Sequence, residues 1–234
     1  ISELELQFTG LWRKRYVLGE WAVAEGAIWS MFDPDLHVIP AAKLPPMRRF
    51  LCDAIDYGTQ FPLHAGILAL GEDNRLYVTD EHRYDSRETG KHKSDLEYSA
   101  DLTAWLSSSL IPAANGAKGI TPEFEVIDPS ALSFRVQRYK DGWRAREANN
   151  SVDDGLRVVA SALANGVLLI SDACPELIKE IPGYVWDAKA AEKEREEPLK
   201  LNDHGCDMLR YALLTTQHSW FRDVYGWDGA GRAA

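Results

Sequence analysis

The chain has 234 residues, of which 45% are apolar and 26% are charged, enough for one large soluble domain or two small ones. A formal net charge of −10 argues against a protein that coats nucleic acid through bulk positive charge, although it allows a local basic face. No apolar run approaches the roughly 18 residues of a membrane span, and three scattered cysteines favour neither a disulfide framework nor a zinc site. We therefore expect no membrane partner and a reducing, cytosolic setting.

The first 46 residues predict a linking segment ahead of the main domain. Apolar and aromatic side chains crowd together between Phe8 and Trp21, at spacings that roughly suit one helix face. Prolines recur between residues 33 and 46, which is loop composition, so we place a domain boundary at residue 46. Because the sequence lacks an initiator methionine, we expect a piece of a longer polypeptide, with a main domain over 47–224 and a flexible tail over 225–234.

Three strand-like runs follow, over residues 50–56, 63–70 and 75–81, and the short turns between them predict an antiparallel meander. A polar loop over 82–94 leads into a helix over 94–110, for which Ser94 supplies the N-cap and Glu97 completes a capping box. The predicted apolar face of this helix consists of Leu96, Leu102, Trp105 and Leu106.

The second half of the chain alternates strands with helices. The predicted strands are 124–128, 143–148 and 167–170, and the predicted helices are 131–139, 151–164, 175–181 and 202–217. Charged residues dominate 184–201, which we interpret as a mobile hairpin or a solvated loop. A helix between two strands requires the fourth strand to run parallel to an earlier one. The result is an α/β fold with a mixed, helix-flanked sheet, and its element order resembles that of the RNase H-like fold.

Two predicted strands end in an aspartate that is followed at once by a turn. Asp56 precedes Tyr57-Gly58, and Asp128 precedes Pro129. Either aspartate alone can be an ordinary turn residue. If the two strands are neighbours, the two carboxylates repel each other and raise each other's pKa unless a cation sits between them. Because Mg²⁺ and Mn²⁺ prefer such oxygen ligands, the pattern favours a divalent-metal site.

The last predicted helix brings three further polar side chains, Asp203, His204 and Asp207, whose spacing puts them on one face. Asp203 can instead be a helix cap, Asp207 a solvated helix residue, and His204 a histidine hydrogen-bonded to a neighbour. The small Gly205 permits a close approach to the sheet. Its presence beside His204 makes Asp207 a candidate metal ligand.

The motifs AIDYG (54–58), VIDPS (126–130) and NDHGCDMLRYAL (202–213) resemble the nuclease domain of phage terminase large subunits, the motors that package viral DNA. Residues 8–31 also resemble the tract that joins the ATPase domain of these proteins to their nuclease. The resemblance implies an RNase H-like fold and a two-metal endonuclease that cuts double-stranded viral DNA concatemers with little sequence specificity. It implies Asp56, Asp128, Asp207 and His204 as catalytic residues. The implied metal ligands are Asp56, Asp128, Asp207 and Asp203.

The resemblance also implies cofactors and partners. These are two Mg²⁺ or Mn²⁺ ions, double-stranded DNA, a portal protein and a small terminase subunit, with the host cytoplasm as the setting. Glu81, at the end of the third predicted strand, is a weaker candidate for a further carboxylate. The phosphate-binding motif G-x-x-x-x-G-K-[ST] is absent from the sequence, so we expect no ATPase activity here and an ATPase domain elsewhere in the same polypeptide.

DNA contact requires positive charge near the site, and two basic clusters are candidates. They comprise Arg135, Arg138, Lys140, Arg144 and Arg146 in one stretch, and Lys91 and Lys93 in another. Each residue can instead be ordinary solvated charge. Two other functions stay open at this point: a Holliday-junction resolvase or transposase-like nuclease of the same fold, and a non-catalytic module that only docks DNA or the portal.

Overall fold

The computed structural model describes residues 6–20, 24–58, 62–193 and 195–226. These residues form a seven-stranded sheet with the spatial order β1-β7-β4-β3-β2-β5-β6. The strands are β1 (Val38–Ile39), β2 (Met47–Asp56), β3 (Leu63–Gly71), β4 (Leu76–Tyr84), β5 (Glu125–Ile127), β6 (Ala145–Glu147) and β7 (Leu168–Ser171). The mixed sheet confirms the predicted fold class.

All strands except β3 run in the same direction, so their carboxyl ends lie at the same edge of the sheet. β3 is antiparallel to both of its neighbours, whereas the other adjacent pairs are parallel. The carboxyl ends of the parallel strands therefore lie along one edge, which we call the carboxyl edge. The predicted parallel pairing of the fourth strand is confirmed, because β5 lies beside β2. β3 is buried along its whole length, which explains its nearly unbroken apolar run.

Helices cover both faces of the sheet. They are α1 (Gly10–Trp12), α2 (Pro34–His37), α3 (Ser86–Thr89), α4 (Asp95–Ser108), α5 (Leu132–Lys140), α6 (Val152–Ala164), α7 (Pro175–Glu180), α8 (Ala188–Ala191) and α9 (His204–Tyr225). α6 and α9 pack on one face with Ala54 and Val126, and α4 and α5 pack on the other with Ile55 and Ile127. Side chains alternate along a strand, so consecutive residues of β2 and β5 enter different cores. No helix in the described part of the chain is long and apolar enough to cross a membrane.

Local signals explain where the main helices begin and end. α4 starts at the predicted capping box, in which the Glu97 N–H donates to the Ser94 hydroxyl and the Ser94 N–H donates to the Glu97 carboxylate. Leu96 is 61% exposed, so its predicted burial was wrong; the buried stripe of α4 instead follows Tyr98, Leu102 and Leu106. α9 continues past the predicted end at residue 217 because Trp220 is buried in the core.

The segment before residue 47 packs on the same sheet. The stretch 33–46, predicted as a loop, contains α2 and β1, and β1 pairs with β7. Trp12 and Trp29 are buried in the core that α6 and α9 share. The predicted boundary at residue 46 therefore cuts through a continuous core, and the role of residues 1–46 as a link to another domain stays a prediction. The predicted tail over 225–234 lies outside the described residues from 227 onward.

Two glycines let the start of α9 lie close to the sheet. A Cβ atom on Gly66 would stand 2.5 Å from Met208 Cε, and one on Gly205 would stand 2.7 Å from His64 Cε1. Neither position accepts a side chain unless its neighbours move. Since His64 is opposite Asp56 in the β2–β3 register, this close approach brings the start of α9 to the carboxyl edge.

Candidate metal centre at the carboxyl edge

The ends of β2 and β5 place Asp56 and Asp128 side by side. Ile55 is opposite Ile127 in the parallel register, and the Asp128 N–H donates to the Ile55 carbonyl at 3.2 Å. The prediction that these two strand ends are neighbours is confirmed. Burial raises the pKa of Asp56 above its ordinary value; the hydrogen bond and charge of His204 offset part of this rise, and the negative charges of Asp207 and Asp128 add to it. The three aspartates therefore share one electrostatic environment.

His204, the first residue of α9, contacts Asp56 directly. Its Nδ1 lies 2.7 Å from Asp56 Oδ2, and both side chains are mostly buried. Burial lowers the pKa of His204, but the hydrogen bond to Asp56 and the charge of that carboxylate outweigh burial and raise the pKa overall. The pair keeps a proton beside the strand ends, where an imidazole can hold or transfer it.

Asp128 is oriented by two donors. The Ser130 N–H donates to Oδ1 at 2.6 Å, and the Tyr211 hydroxyl of α9 donates to Oδ2 at 2.8 Å. Burial raises the pKa of Tyr211, and the charges of Asp207, Asp56 and Asp128 add to the rise, so the hydroxyl stays a donor. Sequence reasoning missed Tyr211, although its position four residues after Asp207 puts the two on one helix face.

Asp207 is a buried carboxylate with two cationic partners. Arg210 donates to its Oδ1 at 2.8 and 3.2 Å, and Lys200 Nζ lies 2.9 Å from its Oδ2. The Tyr184 hydroxyl lies 3.3 Å from Oδ1. Burial alone would raise the pKa of Asp207, but Arg210 and Lys200 outweigh burial and lower it. The alternative of a solvated helix residue is therefore wrong for Asp207.

Asp203 belongs to the same charged cluster. It stands at the N-cap position of α9, but its side chain makes no capping hydrogen bond. Its carboxylate is buried and lies 3.1 Å from Lys200 Nζ. The alternative that the Asp203 side chain only caps the helix is therefore wrong.

Glu81 connects strands β3 and β4 to the start of α7, next to the site. It lies 2.8 Å from His64 Nε2 and accepts from the backbone N–H of Glu176 at the start of α7 at 2.7 Å. At the other end of α7, Glu180 accepts from the Gly205 N–H at 2.6 Å. These contacts hold α7 between β4 and the start of α9. Because its oxygens already serve these donors, Glu81 fits a positioning role better than a role as metal ligand.

The carboxylates at the carboxyl edge differ in how readily they can hold a divalent ion. Among the described residues, no three His, Cys, Asp or Glu side chains converge closely enough to form a ready-made metal site. Asp56 and Asp128 fit a shared ion, since they are adjacent carboxylates whose repulsion a cation would relieve. Asp207 Oδ2 faces the ammonium of Lys200, so an ion at that oxygen must replace a cation that is already present.

The predicted DNA contact at Arg138 was wrong. Its side chain is 0% exposed, and its guanidinium donates to Glu125 and to the backbone carbonyl of Ser99. The inner face of α5 points this residue into the core, where it neutralises a buried acid. Phe134, four residues earlier and also buried, was the signal in the sequence that this face is internal.

The other members of the basic clusters differ in exposure. Arg135 pairs with Glu147 at 3.1 Å, and Lys93 pairs with Asp101. The exposed members are Lys91, Lys140, Arg144 and Arg146. Arg144 and Arg146 line a groove of about 520 Å³ together with Tyr139 and Trp143. A basic and aromatic groove suits a nucleic-acid strand.

A second groove, of about 590 Å³, begins beside the candidate metal centre. Its walls include Pro129, which follows Asp128, together with Asn149, Thr215 and His218. The groove therefore offers polar side chains next to one of the two strand ends.

No protein-family model matches this sequence, and no curated protein matches it. Solved structures do match. The large terminase of a thermophilic bacteriophage, whose structures include a complex with ADP, is 36% identical over 91% of this chain, with a TM-score of 0.81. The structural neighbours of this chain are large terminases. The chain spans about half, 51%, of that phage protein.

Two nuclease structures show the same fold at lower identity. The P22 large terminase nuclease domain is 17% identical, with 86% of this chain and 98% of that chain covered and a TM-score of 0.58. The large terminase nuclease of the thermophilic phage G20c, solved with bound magnesium, is 13% identical, with 81% and 97% covered and a TM-score of 0.54. At these identities the similarity concerns the fold, and the predicted RNase H-like fold is confirmed.

Proposed function

We propose that this chain is the nuclease part of a DNA-packaging terminase and cuts double-stranded DNA with divalent metal ions. The observation that carries the proposal is the pairing of Asp56 and Asp128 at adjacent strand ends, with His204 2.7 Å from Asp56. The 36% identity to a large terminase of a thermophilic bacteriophage, over 91% of the chain, supports the packaging context. The magnesium bound in the G20c nuclease supports the choice of cofactor.

We assign different roles in phosphodiester hydrolysis to the side chains at the carboxyl edge. Divalent ions, when bound, activate a water molecule and stabilise the negative charge that builds up on the phosphate. Asp56 and Asp128 would hold one such ion, and Asp203 and Asp207 would hold a second. His204 holds a proton beside Asp56 and can deliver it to a reacting oxygen. Tyr211 fixes the orientation of the Asp128 carboxylate through its hydrogen bond of 2.8 Å.

We also propose that DNA approaches along the exposed basic residues. Lys140, Arg144 and Arg146 offer charge to phosphate oxygens, and phosphate contacts carry no sequence information, as a cut with little specificity requires. Residues 1–46 would join an ATPase domain elsewhere in the polypeptide. The portal protein and the small terminase subunit would be partners, in the cytoplasm of the host.

Plasmid cleavage tests the proposal. The purified chain should nick and then linearise supercoiled plasmid in Mn²⁺ or Mg²⁺, and EDTA should stop the reaction. Asp56→Asn should abolish cutting. Asp172→Asn is the matched control, because Asp172 also follows a parallel strand, β7, at the carboxyl edge, but its carboxylate accepts from the Ala41 N–H at 2.8 Å. This variant should cut like the wild type.

Three outcomes would redirect the proposal. Absence of cutting at every metal concentration, together with no rise in melting temperature on adding Mn²⁺, would contradict it. A preference for four-way junctions over plain duplex would favour a resolvase. DNA binding without any cutting would favour a docking module.

A further inference from the structure

Two cations of different exposure contact Asp207. Arg210 donates to Oδ1 at 2.8 Å, and its side chain is 2% exposed. Lys200 Nζ lies 2.9 Å from the other oxygen, Oδ2, and 62% of the Lys200 side chain is exposed. Arg210 is therefore a fixed part of the core, whereas the ammonium of Lys200 can leave for water without opening the fold.

Asp203 faces the same ammonium. Its Oδ2 lies 3.1 Å from Lys200 Nζ, and within the described part of the chain no other donor reaches that oxygen. A carboxylate this buried is costly without a nearby positive charge. Burial lowers the pKa of Lys200, but Asp207 and Asp203 outweigh burial and raise it, so the side chain stays a cation.

The turn before α9 creates this geometry. Asn202 has a φ of 50°, a left-handed conformation that asparagine tolerates better than most residues. The turn brings Lys200 back over Asp203. Asp203 and Asp207 are one helical turn apart, since the Asp207 N–H donates to the Asp203 carbonyl at 2.8 Å. Both Oδ2 atoms therefore converge on one point, which Lys200 Nζ occupies.

We propose that Lys200 is a resident cation in a divalent-ion position between Asp203 and Asp207, so that an ion binds there only when the ammonium leaves. The inference rests on the metal-dependent function proposed above. Two carboxylate oxygens around one point are donors that Mg²⁺ takes at about 2.0–2.1 Å, closer than an ammonium can approach. A divalent ion has twice the charge at a shorter distance, and so it displaces Lys200 once its concentration is high enough.

Lys200 makes the two ion positions unequal. The donors to Asp128 are uncharged, namely the Ser130 N–H and the Tyr211 hydroxyl, whereas both Asp203 and Asp207 face the ammonium of Lys200. An ion therefore binds at Asp56 and Asp128 at the lower concentration, and the position at Asp203 and Asp207 fills later. Because cutting needs both ions, it then requires that the Lys200 ammonium leave its position. Lys200 therefore restrains cleavage until the concentration of divalent ions is high enough.

Calorimetric titration with Mn²⁺ tests this restraint on the whole chain. Lys200→Met removes the ammonium and keeps the apolar stem, and it should bind the weaker ion about fivefold more tightly than the wild type, the factor that an exposed ion pair can supply. Lys189→Met is the matched control, since it removes an exposed lysine of the same charged stretch and changes the net charge equally. It should bind Mn²⁺ like the wild type. Without metal, Lys200→Met should melt at a lower temperature, because Asp203 and Asp207 lose their shared cation.

A double variant separates displacement from a general charge effect. In an Asp203→Asn background, the gain from Lys200→Met should shrink, because one of the two oxygens that define the position has lost its charge. Lys200→Gln provides the same comparison if Lys200→Met does not fold. Equal Mn²⁺ affinity in Lys200→Met and Lys189→Met would overturn the inference and leave the proposed function standing. Absence of Mn²⁺ binding in the wild type and every variant would overturn both.

Discussion

Two pairs of acids stand on the same two strands in opposite environments. Asp53 and Glu125 are partners in the β2–β5 register, and three residues further along each strand stand Asp56 and Asp128. Because side chains alternate along a strand, an offset of three residues reverses the face. We call Asp53 and Glu125 the closed pair, and Asp56 and Asp128 the edge pair.

The closed pair is sealed inside the protein. Both acids are fully buried, and Arg138 of α5 donates to Glu125 from an equally buried position. Burial raises the pKa of Asp53 well above its ordinary value, and the negative charge of Glu125 adds to the rise. Asp53 therefore holds its proton over a wider pH range than an exposed aspartate does. One fixed cation and a retained proton therefore balance these two acids.

The edge pair lies where its strands end. Asp56 and Asp128 stay partly exposed, and their partners are an imidazole that can give up its proton, that of His204, and the uncharged hydroxyl of Tyr211. Carboxylates held in this way keep their charge available to a soluble cation. The difference teaches that the same residue types, on the same strands, become structural inside the sheet and available for chemistry at its edge.

Exchanging one acid of each pair should separate the two roles most strongly. Asp128→Asn should slow plasmid cleavage by at least about a hundredfold, as expected when support for a metal is lost. It should not lower the melting temperature of the metal-free protein, because it removes a charge that repels Asp56. Glu125→Gln should cut at the wild-type rate wherever it is folded. Loss of cutting in both variants would remove the distinction between the pairs.

Removing the fixed cation of the closed pair should cost the most stability. Arg138→Met leaves Glu125 buried without its ion pair, and it should lower the free energy of unfolding by about 3–5 kcal/mol, measured by urea denaturation. Arg135→Met is the control on the same helix, because its partner Glu147 is exposed to solvent, and losing this pair should cost less than about 1 kcal/mol. Similar losses in the two variants would argue against a closed, buried cluster.

The closed pair should also make the fold less stable as the pH rises above the ordinary pKa of an aspartate. Because the pKa of Asp53 is raised, the folded protein keeps a proton that the unfolded chain releases near the ordinary pKa of 3.8. The linked stability is therefore full below that pH and declines as pH rises towards the raised folded pKa. In EDTA, the melting temperature of Asp53→Asn should fall less than that of the wild type between about pH 5 and about pH 9. Parallel profiles would show that Asp53 does not keep its proton.

The smallest expected effect concerns the support of the edge pair. Tyr211→Phe removes one hydrogen bond to Asp128, and it should cost about 1 kcal/mol of stability and slow cleavage by about tenfold. Tyr77→Phe removes a similar hydrogen bond, to Asp73, away from the site and should leave cleavage unchanged. Equal cleavage rates in the two variants would deny Tyr211 a role in orienting Asp128.

The edge pair could be predicted from the sequence because its signals are local. An apolar run with a terminal aspartate and a turn marks a strand end, and the intervening helix makes the two strands parallel neighbours. The same patterns predicted the sheet and the capping box of α4. Strand and helix ends shifted by a few residues, because buried side chains such as Trp220 extend an element beyond its local pattern.

The closed pair could not be predicted in the same way. Arg138 looks like its exposed neighbours Lys140 and Arg144, and only the packing of α5 on the sheet turns it inward. Lys200 lies in a charge-rich stretch, and its contact with Asp203 and Asp207 depends on the turn at Asn202. Both contacts arise from tertiary geometry, which residue spacing alone does not encode.

Calorimetric titration of the metal-free protein with Mn²⁺ tests most directly whether the edge pair, rather than the closed pair, holds a divalent ion. We predict that the wild type and Asp53→Asn bind Mn²⁺ and that Asp56→Asn loses its tighter ion. Full Mn²⁺ binding by a folded Asp56→Asn protein would contradict the assignment of the edge pair. Loss of binding in a folded Asp53→Asn protein would contradict the separation of the two faces.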